Sequence, residues 1–348
     1  MIEKYYNGVI EQVAGGIGNV EHNSILVRYS NDFSIWDLES VNHYKDQTDI
    51  FFTCHEFSYN KIAEAYEPYL GLIRQMFHKY CSGTLEEFME ECDVYKLQRP
   101  VFESYFEKGF CERTEQILID EVEYEQERMR NSIVTMLQKL SEIRPVVIVL
   151  NRFQLASKST MQLSNSLLQV KNKNIGIVLG VNDVQSIPEF AHEEWDAICE
   201  SMDDRNMVYH IGNAGRNMEP DVMDYYSDYE SDDGYRKLNN LVYFLDFDQA
   251  DHHLSKIERR IKFDNFTISE KKHYQLLLLQ IMVSVLQRDI AKALESCEDL
   301  EKLQDQEKEG AFYYNFWMAT SYMYLGKLEE AMIYVQKAKE CGEALGDD

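Results

Sequence analysis

Between residues 24 and 212, short apolar runs alternate with longer stretches whose apolar residues recur at helical spacing. That alternation predicts βαβ units and a parallel sheet, an α/β architecture. Five strands are expected: Ser24–Arg28, Asp49–Cys54, Val146–Leu150, Asn174–Gly180 and Asn206–Gly212. The runs VVIVL and IGIVLG have little polar alternation and many β-branched residues, as central strands covered on both faces require. Helical patterns lie at Ile62–Tyr80, Arg113–Glu142, Lys158–Val170 and Glu189–Met202. Too many residues separate the second and third strands for one crossover, so a helical insertion is expected around 83–142.

Residues 213–236 carry acids and tyrosines without either periodicity, which predicts a loop within an acidic connector spanning 213–250. Leu241–Phe247 reads as one more short strand or a connection. From about residue 251 to 348 the pattern is helical, and residues 1–23 are expected to be an N-terminal extension.

The last 75 residues or so repeat when the chain is slid on itself by 38 positions. Tyr274 then meets Phe312, Ile281 meets Ala319, Ile290 meets Leu328, Ala293 meets Ala331 and Leu300 meets Ala338. Coinciding small and large apolar positions on successive helices predict a stack of helix pairs sharing one core. The unit Tyr314–Lys339 closely resembles a tetratricopeptide repeat: Ala319, Tyr322, Leu325-Gly326-Lys327, Glu330-Ala331, Tyr334 and Ala338 fall where that repeat uses them. Small residues let paired helices approach, and Gly326 suits the turn between them. The preceding unit has Gln287 and Arg288 where the repeat places Leu-Gly.

The 348 residues include 35 Lys and Arg against 61 Asp and Glu, a formal net charge of −26. Such a chain repels nucleic acid and anionic membranes, so neither is an expected partner. No stretch approaches the roughly 18 apolar residues of a spanning helix, and the N-terminus lacks a basic region followed by an apolar run. Seven scattered cysteines without a CxxC pair argue for reduced thiols and a cytoplasmic protein. The length predicts two domains.

Arg144-Pro145-Val146-Val147-Ile148-Val149-Leu150-Asn151-Arg152-Phe153-Gln154-Leu155-Ala156-Ser157, followed by Met161, Leu163 and Leu167-Leu168, resembles the third strand and following helix of STAND-type signalling NTPases, a branch of the AAA-like P-loop ATPases of bacterial signalling. The Asn174–Gly180 strand, ending in Asn182 where the family places a polar γ-phosphate sensor, fits the same pattern. So does the passage from the second strand through Glu67-Pro68-Tyr69 into an apolar helix. The resemblance implies a three-layer, P-loop NTPase-like domain over 24–212 followed by tetratricopeptide repeats that bind a protein or peptide.

The departures fall on the chemistry. Where the family needs an aspartate for Mg²⁺ and a neighbouring acid for water, the chain has Asn151 and Arg152. After the first strand, Tyr29-Ser30-Asn31-Asp32-Phe33-Ser34-Ile35-Trp36 lacks the glycines, lysine and hydroxyl of a GxxxxGK[ST] loop, and Asp32 brings negative charge where phosphates would lie. Gly15-Gly16-Ile17-Gly18 precedes the strand and reads as a flexible turn. The expected domain is therefore a pseudo-NTPase with no catalytic residues, no cofactor and no metal, acting as a scaffold or sensor within a larger regulatory protein. The alternative is an ATP- or ADP-binding switch with an unusual site. It would use backbone amides at Ser30, Asn31, Asp32 and Phe33, a helix N-terminus near Ser34, and Arg152, with Asn151 and Asn182 beside them.

Three further constellations read as structural. Asp228–Gly234 lacks a Glu at the twelfth position of a Ca²⁺ loop, where Asn239 stands. His252 and His253 are adjacent and point to different sides. Cys54-His55-Glu56 lies on an extended chain whose neighbours face opposite ways, so a buried strand cysteine is expected.

Overall fold

A computed structural model of the chain describes residues 2–19, 23–30, 34–45, 47, 49–58, 61–111, 122–182, 187–205, 207–211, 231–263, 267–303, 305 and 309–346. Two compact units divide the chain: residues 1–116 with 126–228, and residues 117–125 with 229–348. The division at 228/229 lies inside the stretch expected as a connector. Among the described residues no helix is long and apolar enough to cross a membrane.

The first unit is built on a parallel five-stranded sheet of β1 (Asn23–Tyr29), β2 (Phe51–Glu56), β3 (Val146–Asn151), β4 (Ile175–Asn182) and β5 (Val208–Ile211). Their order across the sheet is β2-β3-β4-β1-β5. The two runs with least polar alternation, β3 and β4, are inner strands buried at every residue. That is what strands covered on both faces require.

On one face, Ile25, Val27 and Tyr29 of β1, Val147 and Val149 of β3 and Val178 of β4 pack with Tyr6, Val9, Ile10 and Val13 of helix α1 (Ile2–Gly16) and Val41 of helix α2 (Glu39–Lys45). The stretch expected as an N-terminal extension is thus part of the core. Two glycines in β4 make room for it. A Cβ at Gly176 would come 2.6 Å from Val13 Cγ1, and one at Gly180 would overlap the Tyr6 hydroxyl.

Between β2 and β3 run α3 (Tyr69–Tyr80), α4 (Leu85–Glu91), α5 (Arg99–Lys108) and α6 (Val122–Ile143). The helix expected from Ile62 begins only at Tyr69, immediately after Pro68. Thr84 and Glu87 close a capping box on α4, and α5 ends at Gly109 in the left-handed region, φ +82°; both are the terminators the residue types favour. Helix α7 (Lys158–Gln169) follows β3 and α8 (His192–Asp203) follows β4. On the sheet's other face Arg28 of β1 reaches α8, donating to Cys199 Sγ at 3.0 Å and lying over the Trp195 ring.

The second unit is helical: α9 (Asp232–Tyr243), α10 (Phe247–Phe263), α11 (Glu270–Leu286), α12 (Ile290–Glu301), α13 (Gly310–Tyr324) and α14 (Leu328–Leu345). Part of the expected acidic loop is helix instead. The Ser231 side chain accepts from the Gly234 N–H at 2.9 Å, and Asp232 and Asp233 fill the first turn of α9. Acids are favoured there by the helix dipole. Residues 213–230 of that loop lie outside the described residues. Leu241–Phe247 is the end of α9, a turn and the start of α10 rather than a strand. A short run buried in a helical hairpin has the same apolar signature as a strand.

Three hairpins share one turn. Leu245, Arg288 and Gly326 adopt left-handed φ of +66°, +62° and +71°. The next N–H closes back on the first helix in each: Asp246 on Leu241 O (2.8 Å), Asp289 on Ser284 O (2.8 Å) and Lys327 on Tyr322 O (2.9 Å). Ala250, Ala293 and Ala331 then occupy equivalent buried positions, as do Ile257, Leu300 and Ala338. Sliding the chain by 38 finds only the second and third hairpins. Helix α10 has 17 residues against 12 in α12, so the first hairpin is offset by five more.

Candidate functional site at the carboxyl edge of the sheet

The connection leaving β1 runs to β2 at the far edge, whereas the one leaving β4 passes β1 to reach β5. Right-handed crossovers put those connections on opposite faces, and adjacent strands that diverge in this way leave a crevice at their carboxyl ends. Tyr29 and Asn182, paired in register, bound that crevice, and Asn151 ends β3 on the far side of β4.

Beside that crevice, side chains of the chain meet over β4 on the face that α1 covers. Tyr29 Oη donates to Asn151 Oδ1 at 2.7 Å, although their strands are separated by β4. Strands two apart lie roughly 10 Å from each other, so the bond must cross the intervening strand. It crosses at Gly180, where a Cβ would lie 2.7 Å from Asn151 Oδ1. Tyr6 stands edge-on to Tyr29, ring centroids 6.5 Å apart, and both rings are buried. Burial drives the Tyr6 phenol well above its ordinary pKa, so it is un-ionised.

Asn151 is fully buried, and its Nδ2 has no hydrogen-bond partner among the described residues. Its own carbonyl accepts from Phe57 N–H at 3.1 Å. Arg152 follows in the left-handed region, φ +53°, and its guanidinium lies 3.3 Å from Glu56 Oε1 at the end of β2. The other Glu56 oxygen accepts from the Ile35 N–H at 3.1 Å. Glu56 therefore balances Arg152 and ties it to the segment after β1, where the Ser34 side chain accepts from Trp36 N–H at 3.3 Å. Asn182 is buried, and its N–H donates to Gln154 Oε1 at 3.2 Å.

Of the residues read as a degenerate nucleotide site, Asn151, Arg152 and Asn182 thus stand at the carboxyl ends of β3 and β4. Ser30 follows β1, and Ser34 joins the group through Ile35 and Glu56. Asn31 and Asp32 lie outside the described residues. These groups do not fit Mg²⁺ and a phosphate chain. A neutral amide committed to a tyrosine hydroxyl, with an N–H as its other face, offers a hard cation no anionic oxygen. The Arg152 charge is balanced by Glu56. Sequence reasoning missed Tyr6, Tyr29, Glu56 and Gly180. The signal was present in two glycines four apart within a β-branched strand, which mark close approach of another element.

The other candidates are placed in packing. Cys54, expected to be buried, is half-buried against the core because β2 is an edge strand, and burial pushes its thiol up to about 11. His252 and His253 lie on α10; burial, helped by Lys256, brings them down to about 4 and 3. His253 Nε2 meets Gln249 Nε2 at 3.0 Å. Among the described residues no group of three or more His, Cys, Asp or Glu is placed to hold a metal ion. In the last hairpin Ala319, Ala331 and Ala338 are buried, Gly326 makes the turn, and Tyr322 stacks on Tyr334, centroids 5.6 Å apart.

No protein-family model and no curated protein matches the chain.

Proposed function

We propose that the protein is a non-catalytic signalling scaffold or sensor. Its α/β unit is a pseudo-NTPase of the STAND-like kind that the sequence resembles, and its helical unit is a tetratricopeptide-like array that binds a protein or peptide. The observation that carries the proposal is the Tyr29–Asn151 hydrogen bond across Gly180, because it commits to a tyrosine hydroxyl the amide that stands where the resembled family carries its Mg²⁺-binding acid. The Arg152–Glu56 pair supports it by committing the cation that would otherwise meet phosphate. The shared turn of the three hairpins supports the array, since three units are enough to bury a continuous core.

The protein works in the cytoplasm, consistent with seven free cysteines. Its charge of −26 suits basic partners and disfavours nucleic acid and anionic lipid. Isothermal titration of the full chain with ATP and ADP, each with and without Mg²⁺, beside a hydrolysis assay, tests the proposal. Neither heat nor turnover is expected from folded protein. Saturable binding at micromolar nucleotide would refute it.

A further inference from the structure

At the amino edge of the sheet, the end away from the crevice, an open cleft of about 560 Å³ lies between α6 and the connection from α7 to β4. Thr135, Gln138, Lys139 and Glu142 recur at i, i+3, i+4 and i+7 and so line it from one face of α6. Lys171–Asn174 line the other side. That connection is held firmly. Asn172 Oδ1 accepts from the Asn174 N–H at 2.8 Å, Asn172 Nδ2 donates to Ser141 Oγ of α6 at 3.3 Å, and the Lys173 carbonyl accepts from the Gly18 N–H at 2.8 Å. The Asn172 amide is thereby committed to building the wall. The other polar groups of the cleft are rich in unused donors. Lys171 and Lys173 form no ion pair among the described residues, and the side-chain amides of Gln138 and Asn174 have no hydrogen-bond partner among them. Lys139 pairs with Glu91 of α4, and Glu142 is the one acid among the described lining residues.

We propose that this cleft binds a phosphorylated sugar or polyol, the lysine ammoniums taking the phosphate and Gln138, Asn174 and Glu142 taking the hydroxyls. Charge selects an anion. Three lysines stand with one carboxylate in the lining, within a chain whose net charge is −26. Elsewhere on such a chain an anion meets repulsion, whereas ammoniums without carboxylate partners attract it. A phosphate ester carries about −1.5 to −2 at neutral pH, which the two unpaired ammoniums of Lys171 and Lys173 match. Polarity selects among anions. Ligand pockets are ordinarily lined mostly by apolar and aromatic side chains, but every described residue lining this one is polar. The lining offers a nucleobase nothing to stack on and an acyl chain nothing to bury against, so the ligand is hydrophilic over its whole surface. Amides and a carboxylate together accept from and donate to hydroxyl groups, which a sugar or polyol carries and inorganic phosphate does not present in that arrangement. The eight residues of β4 separate the cleft from Asn182 by roughly 25 Å, so the proposal is independent of whether the crevice takes nucleotide.

Calorimetric titration of the full chain at physiological salt with glucose 6-phosphate, glycerol 3-phosphate and fructose 1,6-bisphosphate, beside inorganic phosphate and glucose, tests it. At least one of the esters should bind saturably and about tenfold more tightly than inorganic phosphate, and glucose should not bind. Lys171→Gln with Lys173→Gln should weaken that ester by about a hundredfold, as losing two charge-assisted hydrogen bonds does. The circular dichroism spectrum should not change, because both lysines are exposed. Gln138→Ala with Asn174→Ala should bring the ester down to the level of inorganic phosphate and leave inorganic phosphate where it was. No saturable binding by any ester, esters held no better than inorganic phosphate, or binding indifferent to Lys171 and Lys173 would each overturn the proposal.

Discussion

Replacing Gly180 by alanine tests how Tyr6 and the Tyr29–Asn151 bond are seated over β4. The added methyl would overlap the Tyr6 hydroxyl and lie 2.7 Å from Asn151 Oδ1. Tyr6 is wholly buried and stands edge-on to Tyr29, so its ring cannot swing into solvent. Either α1 lifts from β4 or the Tyr29–Asn151 bond lengthens. Overpacking a core by one methyl costs about 1–3 kcal/mol. In a domain of this size that lowers the melting temperature by roughly 3–10 °C. Calorimetry of Gly180→Ala should therefore show the melting transition lowered by that amount. Tyr6→Phe removes the overlapping oxygen, so the double variant should recover most of the loss. A single variant within about 0.5 kcal/mol of the parent, the range of ordinary surface changes, would refute the seating of Tyr6 over Gly180.

The hydrogen bond itself can be probed by Tyr29→Phe, which leaves a buried Asn151 oxygen unsatisfied and should cost about 1–3 kcal/mol in denaturant unfolding. Adding Asn151→Leu should return much of it, since replacing both partners removes the buried polar group, and a double variant no better than the single would contradict the pairing. Gly326→Ala meets no neighbour within 4 Å, so its cost is the left-handed backbone alone, about 1 kcal/mol in the helical unit. No change in melting would mean that the turn is not left-handed. His253 is held near 3 by burial, while unfolded histidine titrates near 6.5. Below that pH the unfolded chain takes up a proton that the folded chain refuses, so stability falls as pH drops from about 6.5 toward 3, by about 2 kcal/mol at pH 5. His252, held near 4, adds a slope of the same sign, so His253→Gln should remove about half of the combined histidine slope between pH 7 and pH 5; an unchanged slope would assign it to other groups.

Much of the first unit was legible because each central strand carries its own signal. VVIVL and IGIVLG are apolar on both faces, and their place under two layers of helix follows from that alone. The boundaries moved where a local residue overrode the periodic pattern. Pro68 delayed α3, and Ser231 with two following acids started α9 inside a stretch that looked like loop. The first hairpin of the helical unit was hidden for a different reason. Leu245 and Arg288 hold the turn that Gly326 makes without strain, so no glycine marks them, and the longer α10 puts the first hairpin out of the 38-residue register.

At the candidate site, residue chemistry alone showed what was missing, because an amide and a guanidinium cannot do the work of two carboxylates wherever the strand lies. What stands in place of the lost chemistry came only from the tertiary structure. Tyr6, Tyr29, Gly180 and Asn151 are spread over nearly the whole α/β unit, and nothing local ties a tyrosine in the first helix to a glycine in the fourth strand. Only the sheet order, with β4 between β1 and β3, makes that glycine the gap through which Tyr29 reaches Asn151. Periodicity reports which face of an element is apolar; which element covers that face is decided by how distant segments pack.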